Sequence, residues 1–309
     1  MIPHPFNSLG TSLSKENGTA QYPFLIKNEF DFVAFRNAIH NGNEFDGVYH
    51  KLMNDLDLSG ITFGYDGMYR GYFDGNFKVI RNFSQTRNSY GGLFYNIGGG
   101  IKNLGVENIN IDTHTASSNI SVGGLSAYNT GIIEGCYITG SIKPPVATSG
   151  GIVGRNYGII RNCFTNVIIT GTGTYYGGIT GAIYPNGSVD KCIALGNVTS
   201  TNSFIGGIIG GNQTPFILSN CVASMSSING SQAYRINGNS PTGGTNNYAL
   251  NTMLVKGVTV TGTATSANGA NATIQQLKSL AFYRDTMGWD MDNIWEIDDG
   301  NDFPKLRGF

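Results

Sequence analysis

Gly151-Ile152-Val153-Gly154-Arg155-Asn156-Tyr157-Gly158-Ile159-Ile160-Arg161-Asn162-Cys163 is the cleanest copy of a unit that recurs along the chain. A twin glycine opens it and an Asn-Cys pair closes it. Cys136, Cys163, Cys192 and Cys221 follow one another at intervals of 27 to 29 residues. Each lies downstream of its own twin glycine: Gly123-Gly124, Gly150-Gly151, Gly177-Gly178 and Gly206-Gly207. Self-similarity at such an interval marks a solenoid or an array. The cysteine column is read onward to Phe83 and Leu104 upstream, each behind an Asn, and to Tyr248 downstream.

Residues inside the unit choose between helices and strands. Ile138-Thr139-Gly140-Ser141-Ile142, Val167-Ile168-Ile169-Thr170 and Val198-Thr199 are short and β-branched, with Gly or Asn at their boundaries. That pattern favours strands and leaves no room for a helix pair. The predicted fold is all-β: a parallel β-helix (β-solenoid) with rungs of about 27–29 residues, each pairing with the next at roughly 4.8 Å. Short helices are expected at both ends, because an open rung exposes unpaired backbone and apolar interior. Glu29 to Ile39 has apolar residues at helical spacing, and Thr273 to Leu280 reads as a second short helix before an acidic tail that holds both tryptophans. The chain is therefore divided into an N-terminal extension (1–28), a capping helix and lead-in (29–50), the shaft (51–250) and a C-terminal cap (251–309).

Composition narrows the function. Forty-five of 309 residues are Gly, charged residues are 13%, and the formal net charge is −1. A near-neutral chain carries no electrostatic footprint for nucleic acid or an anionic membrane, and no apolar run approaches the ~20 residues of a membrane-spanning helix. Neither nucleic acid nor membrane insertion is expected. Met1 to Phe6 lacks a basic region before an apolar stretch, so the chain is expected to stay inside, to leave by a route other than a Sec leader, or to have lost that leader. Cysteines at one point of successive rungs read as buried reduced thiols, and no CxxC or paired histidine accompanies them. No metal and no cofactor is expected.

Gly91-Gly92-Leu93-Phe94, Gly123-Gly124-Leu125-Ser126 and Gly150-Gly151-Ile152-Val153-Gly154, with their Asn-Cys partners, resemble the GLUG-motif repeats of bacterial surface and phage-associated proteins. The lead-in Tyr49 to Gly60 with Gly71 to Asn76, and the ending Gly288-Trp289-Asp290 with Trp295-Glu296-Ile297 and Phe303 to Leu306, fit the same resemblance. It spans about residues 30 to 309. It implies a β-solenoid and says little of activity, since such a family is defined by repeats.

Candidate chemistry is sparse. Asp55 and Asp57 flank Leu56 and share a strand face, as a glycosidase pair does, although a strand with its polar residues outward explains them as well. Asp290, Asp292, Glu296, Asp298, Asp299 and Asp302 crowd the tail without the spacing of a calcium loop. Asn129, Asn156 and Asn212 align as an amide ladder broken by Ile183, and Arg81, Lys102, Glu134, Arg161, Asp190 and Ser219 align as a polar column. Tyr128, Tyr157, Tyr175, Tyr176 and Tyr184 fall near turns along one or two edges and are the expected ligand-binding residues, suited to sugar rings or a protein surface. The expected function is a non-enzymatic adhesion protein that binds a cell-surface glycan or protein receptor, as a phage virion or tail component. Such a protein is expected to be a homo-oligomer or part of a larger assembly, in the virion or at the cell surface. Two alternatives stand beside it: a bacterial adhesin without its leader, and a polysaccharide-degrading β-helix enzyme.

Overall fold

The structure is a computed structural model and describes residues 16–63, 67–87, 89–114, 120–144, 148–202, 204–239 and 242–309. One rung shows how the repeat folds. Thr148–Gly150, Val153–Asn156, Ile159–Arg161 and Phe164–Gly171 are consecutive strands that lie in three different parallel sheets. Stacking of such rungs builds sheets of five, six and twenty strands in a β-solenoid of about eight turns, the predicted class.

Register follows the repeat. Ile133 pairs with Ile160, Ile160 with Val189 and Val189 with Leu218, all parallel. The twin glycine exists because rungs touch there: a Cβ on Gly151 would stand 2.2 Å from the Gly178 carbonyl oxygen, and one on Gly178 equally close to that of Gly207. The residue before each cysteine turns the corner between the two strands of the twenty-stranded sheet. It takes the left-handed conformation at Asn162 (φ 51°), Lys191 (φ 51°) and Asn220 (φ 52°), and at Gly135 (φ 59°), which explains the preference for Asn or Gly at that point. Cys136, Cys163, Cys192 and Cys221 are free thiols with no exposure.

The cysteine column ends differently from the expectation. Val222 pairs with Tyr248, so Asn247 lies beside Cys221, whose backbone N–H donates to the Asn247 Oδ1 at 2.7 Å. Tyr248 faces outward. Upstream, Leu104 pairs with Lys78 across a bulge that holds Asn76 and Phe77 at positive φ, and Phe83, one residue before the Ser84–Asn110 pair, lies outside the column. Arg81 pairs with Glu107, while its predicted neighbour Lys102 pairs with Asp74.

Helix α1, Glu29–His40, is capped by Asn28, whose side chain accepts from the Asp31 N–H. It covers the first rung by seating Phe35 against His50, Phe73 and Phe94, with centroids 4.7, 5.7 and 6.3 Å away. The C-terminal segment has short helical turns at Gln276–Lys278 and Phe282–Thr286, but it runs back along the shaft's flank. Leu277, Tyr283, Trp289, Trp295 and Leu306 join Tyr137, Ile193 and Val222 from the outer face of the large sheet in a second core. Trp289 Nε1 donates to the Asn220 carbonyl at 3.0 Å, and Phe309 meets Tyr137 edge-on at 4.8 Å. Part of the predicted N-terminal extension, residues 1–15, lies outside the described residues.

Candidate active site

A groove of about 590 Å³ opens on the outer face of the large sheet near the N-terminal end of the shaft. Its floor is a column of charges, one per rung. Lys51 pairs with Asp74, Asp74 with Lys102, Lys102 with Glu134 and Glu134 with Arg161. Because strands alternate faces, the residues two earlier lie alongside: Tyr49, Tyr72, Gly100 and Ile132 also line the groove. The Tyr49 and Tyr72 rings stack at 4.7 Å and 22°. Gly100 leaves a low point, since even a Cβ there would come within 3.2 Å of the Tyr72 ring. Residues Ala20, Gln21, Pro23 and Leu25 form the wall toward the chain's start.

The two carboxylates are held differently. Asp74 Oδ1 accepts from the Asn76 N–H at 2.9 Å, and its Oδ2 faces Lys102 Nζ loosely at 3.5 Å. Glu134 Oε2 accepts from Arg161 Nη2 at 2.8 Å, an exchange that raises the Arg161 pKa above its ordinary value. Both pairs are partly solvated, so each contributes on the order of 0.2–1 kcal/mol to stability. The sequence column had placed Lys102, Glu134 and Arg161 together. Lys51, Asp74 and the two tyrosines were missed, although the matching spacing of Tyr49-x-Lys51 and Tyr72-x-Asp74 was readable.

Of the five predicted tyrosines, one is taken out of reach. Tyr176 is fully buried, donates from its hydroxyl to the Pro144 carbonyl at 2.7 Å and accepts from the Gly173 N–H at 2.8 Å. It is therefore no binding residue: Tyr175 and Tyr176 are adjacent in a strand, and one of the two must face inward. Tyr175 stacks on Phe204 at 5.1 Å and 13° and leaves no space above Gly211. Tyr128 joins Tyr90 and Tyr95 at 5.5 and 5.7 Å, and Tyr157 stacks on Tyr184 at 4.3 Å and 19°.

The other acidic candidates are occupied structurally. Burial pushes the Asp55 carboxyl up, but hydrogen bonds from Arg81 and the Val79 N–H outweigh it and hold the group below its ordinary range. Asp57 is held low by Ser59 and Asn82. In the tail, Asp290 accepts from the backbone of Asp292 and Asn293, Asp299 accepts from the Leu280 N–H, and Asp302 pairs with Lys305 at 2.7 Å. Among the described residues no three His, Cys, Asp or Glu side chains are grouped to hold a metal ion. The amide ladder is present as aligned: Asn129 Nδ2 donates to Asn156 Oδ1 at 2.8 Å, and Ile183 interrupts it by pairing with Asn156 and Asn212.

No family model matches the chain, and no curated protein matches it. The chain is similar to a crystal structure from Bacteroides ovatus, provisionally named an immunoglobulin A1 protease, with a TM-score of 0.78 and 26% identity over 94% of both chains. This likeness corrects the expectation of a non-enzymatic protein, because the similar structure carries the name of an enzyme.

Proposed function

We propose that the chain is a β-helix enzyme that cleaves an extended carbohydrate polymer lying along the groove, with Glu134 as the water-activating base and Asp74 as the acid. The observation that carries this reading is the pair of carboxylates two rungs apart on the groove floor. Two strand spacings amount to roughly 9.6 Å, close to the ~6.5–9.5 Å at which one carboxyl protonates a glycosidic oxygen while the other activates water on the opposite face of the ring. Lys102 lies between them in register. A sugar seated there displaces it from Asp74, which as the acid gives a proton to the leaving glycosidic oxygen while Glu134 takes one from the attacking water. Glu134 keeps its hydrogen bond from Arg161, which holds the carboxylate in place on the groove floor. Tyr49 and Tyr72 offer ring faces for flanking sugars, and the natural location for such a polymer is a cell surface or extracellular matrix.

A second reading, peptide cleavage, is favoured by the name of the Bacteroides ovatus structure. Incubation of the full chain with a panel of surface polysaccharides and with immunoglobulin A1, followed by mass spectrometry, separates the two. Released oligosaccharides support the first reading, cleaved heavy chain supports the second, and neither product refutes both.

A further inference from the structure

Among the described residues Arg155 has no carboxylate partner. Arg70, Arg81, Arg161, Arg284 and Arg307 each face Asp or Glu within 4.0 Å, whereas no ion pair among the described residues involves Arg155. Its Nε is buried without a hydrogen-bond acceptor. Its Nη1 reaches only the Tyr128 hydroxyl, at 3.5 Å, and its guanidinium carbon stands 5.9 Å over the Tyr128 ring. A half-buried guanidinium with an unsatisfied N–H is a costly arrangement in isolation. Two residues along the chain, Tyr157, itself 37% exposed, stacks on Tyr184.

We infer that Arg155, with Tyr128, Tyr157 and Tyr184, forms a second binding site that takes a carboxylated sugar of a glycan chain. The guanidinium fork matches a carboxylate in two-point geometry, and the parallel Tyr157–Tyr184 pair provides the flat apolar surface on which a pyranose face stacks. An acidic peptide satisfies the cation but has no use for that platform. The site lies on the six-stranded sheet, away from the groove on the large sheet, so it stands or falls independently of the proposed cleavage. Its chemistry is shared by uronate and sialate residues.

Calorimetric titration of the full chain with trigalacturonate, its methyl ester, 3′-sialyllactose and a short poly-glutamate distinguishes these sources. Binding of trigalacturonate or of sialyllactose is expected, with Arg155→Gln and the Tyr157→Ala, Tyr184→Ala double variant each losing about tenfold or more in affinity. Should Arg155→Gln prove misfolded by its melting curve, the tyrosine pair carries the test. Absence of binding to both acidic sugars, a methyl ester that binds as tightly as the acid, undiminished binding by the variants, or binding of poly-glutamate alone overturns the inference.

Discussion

Cys163→Asp is the most demanding test of the register. The Cys163 side chain has no exposure, and its Sγ donates to the Arg161 carbonyl at 3.1 Å, with the Ile133 carbonyl oxygen at 3.9 Å. Burial foremost, together with the hydrogen bond to the Cys163 sulfur, pushes the neighbouring thiols of Cys136 and Cys192 well up, in keeping with a dry column that disfavours negative charge. A carboxylate there would face carbonyl oxygens with no cation, at a cost of about 3–5 kcal/mol, as for a buried charge deprived of its partner. For a domain of this size that lowers the melting temperature by roughly 6–20 °C. Cys163→Val keeps the apolar character at similar volume and costs less than about 1.5 kcal/mol. The Asp penalty also has a sign in pH. An acid whose folded pKa is raised binds its proton more tightly in the folded state, so the deficit is small below about pH 4 and grows as pH rises toward the folded pKa. Thermal melts by circular dichroism at pH 4 and pH 8 read both effects. Equal melting of the Asp and Val variants at pH 8 would refute an interior column.

Both tryptophans lie in the flank-packed tail, 4.5 Å apart, so their fluorescence reports tail docking while circular dichroism follows the shaft. Trp295→Ala removes a fully buried ring and is expected to cost about 3–5 kcal/mol; a change under 1 kcal/mol by denaturant titration contradicts the second core. Deleting residues 273–309 uncovers Tyr137, Ile193 and Val222, and light scattering should show aggregation, whereas a monodisperse product would mean the flank does not need cover. Asp55, Asp57, Asp290 and Asp302 all have pKa values below the ordinary 3.8. Such groups add stability above that value and lose it as pH falls through their folded pKa, so acid destabilisation should set in below about pH 4, and an onset near pH 6 would assign it to other groups.

Much of the shaft was legible because the repeat makes its contacts local in form. Twin glycines, left-handed Asn corners and small buried cysteines are each required by one rung touching the next, so each repeats visibly. The irregular ends were not legible. The register sets Asp74, not Arg81, beside Lys102 and Lys78, not Phe83, beside Leu104, and Asn247 takes the place read for Tyr248, its amide oxygen accepting from the Cys221 N–H. Tail packing joins residues as distant as Trp289 and Asn220, and no local pattern encodes that. The groove depends on placing Leu25, Lys51 and Asp74 in successive rungs that lack the twin glycine. Tyr176 was the avoidable error, since strand alternation already sends one of two adjacent tyrosines inward.

The decisive measurement is the rate of reducing-end release from the polymer that the wild type degrades, compared with Glu134→Gln at matched folding. The proposed mechanism predicts a fall of about 10²–10⁴ in kcat, the usual share of a general base, with a melting temperature close to the wild type because the lost ion pair is exposed. Undiminished release by Glu134→Gln would contradict the assignment of the groove as the catalytic centre.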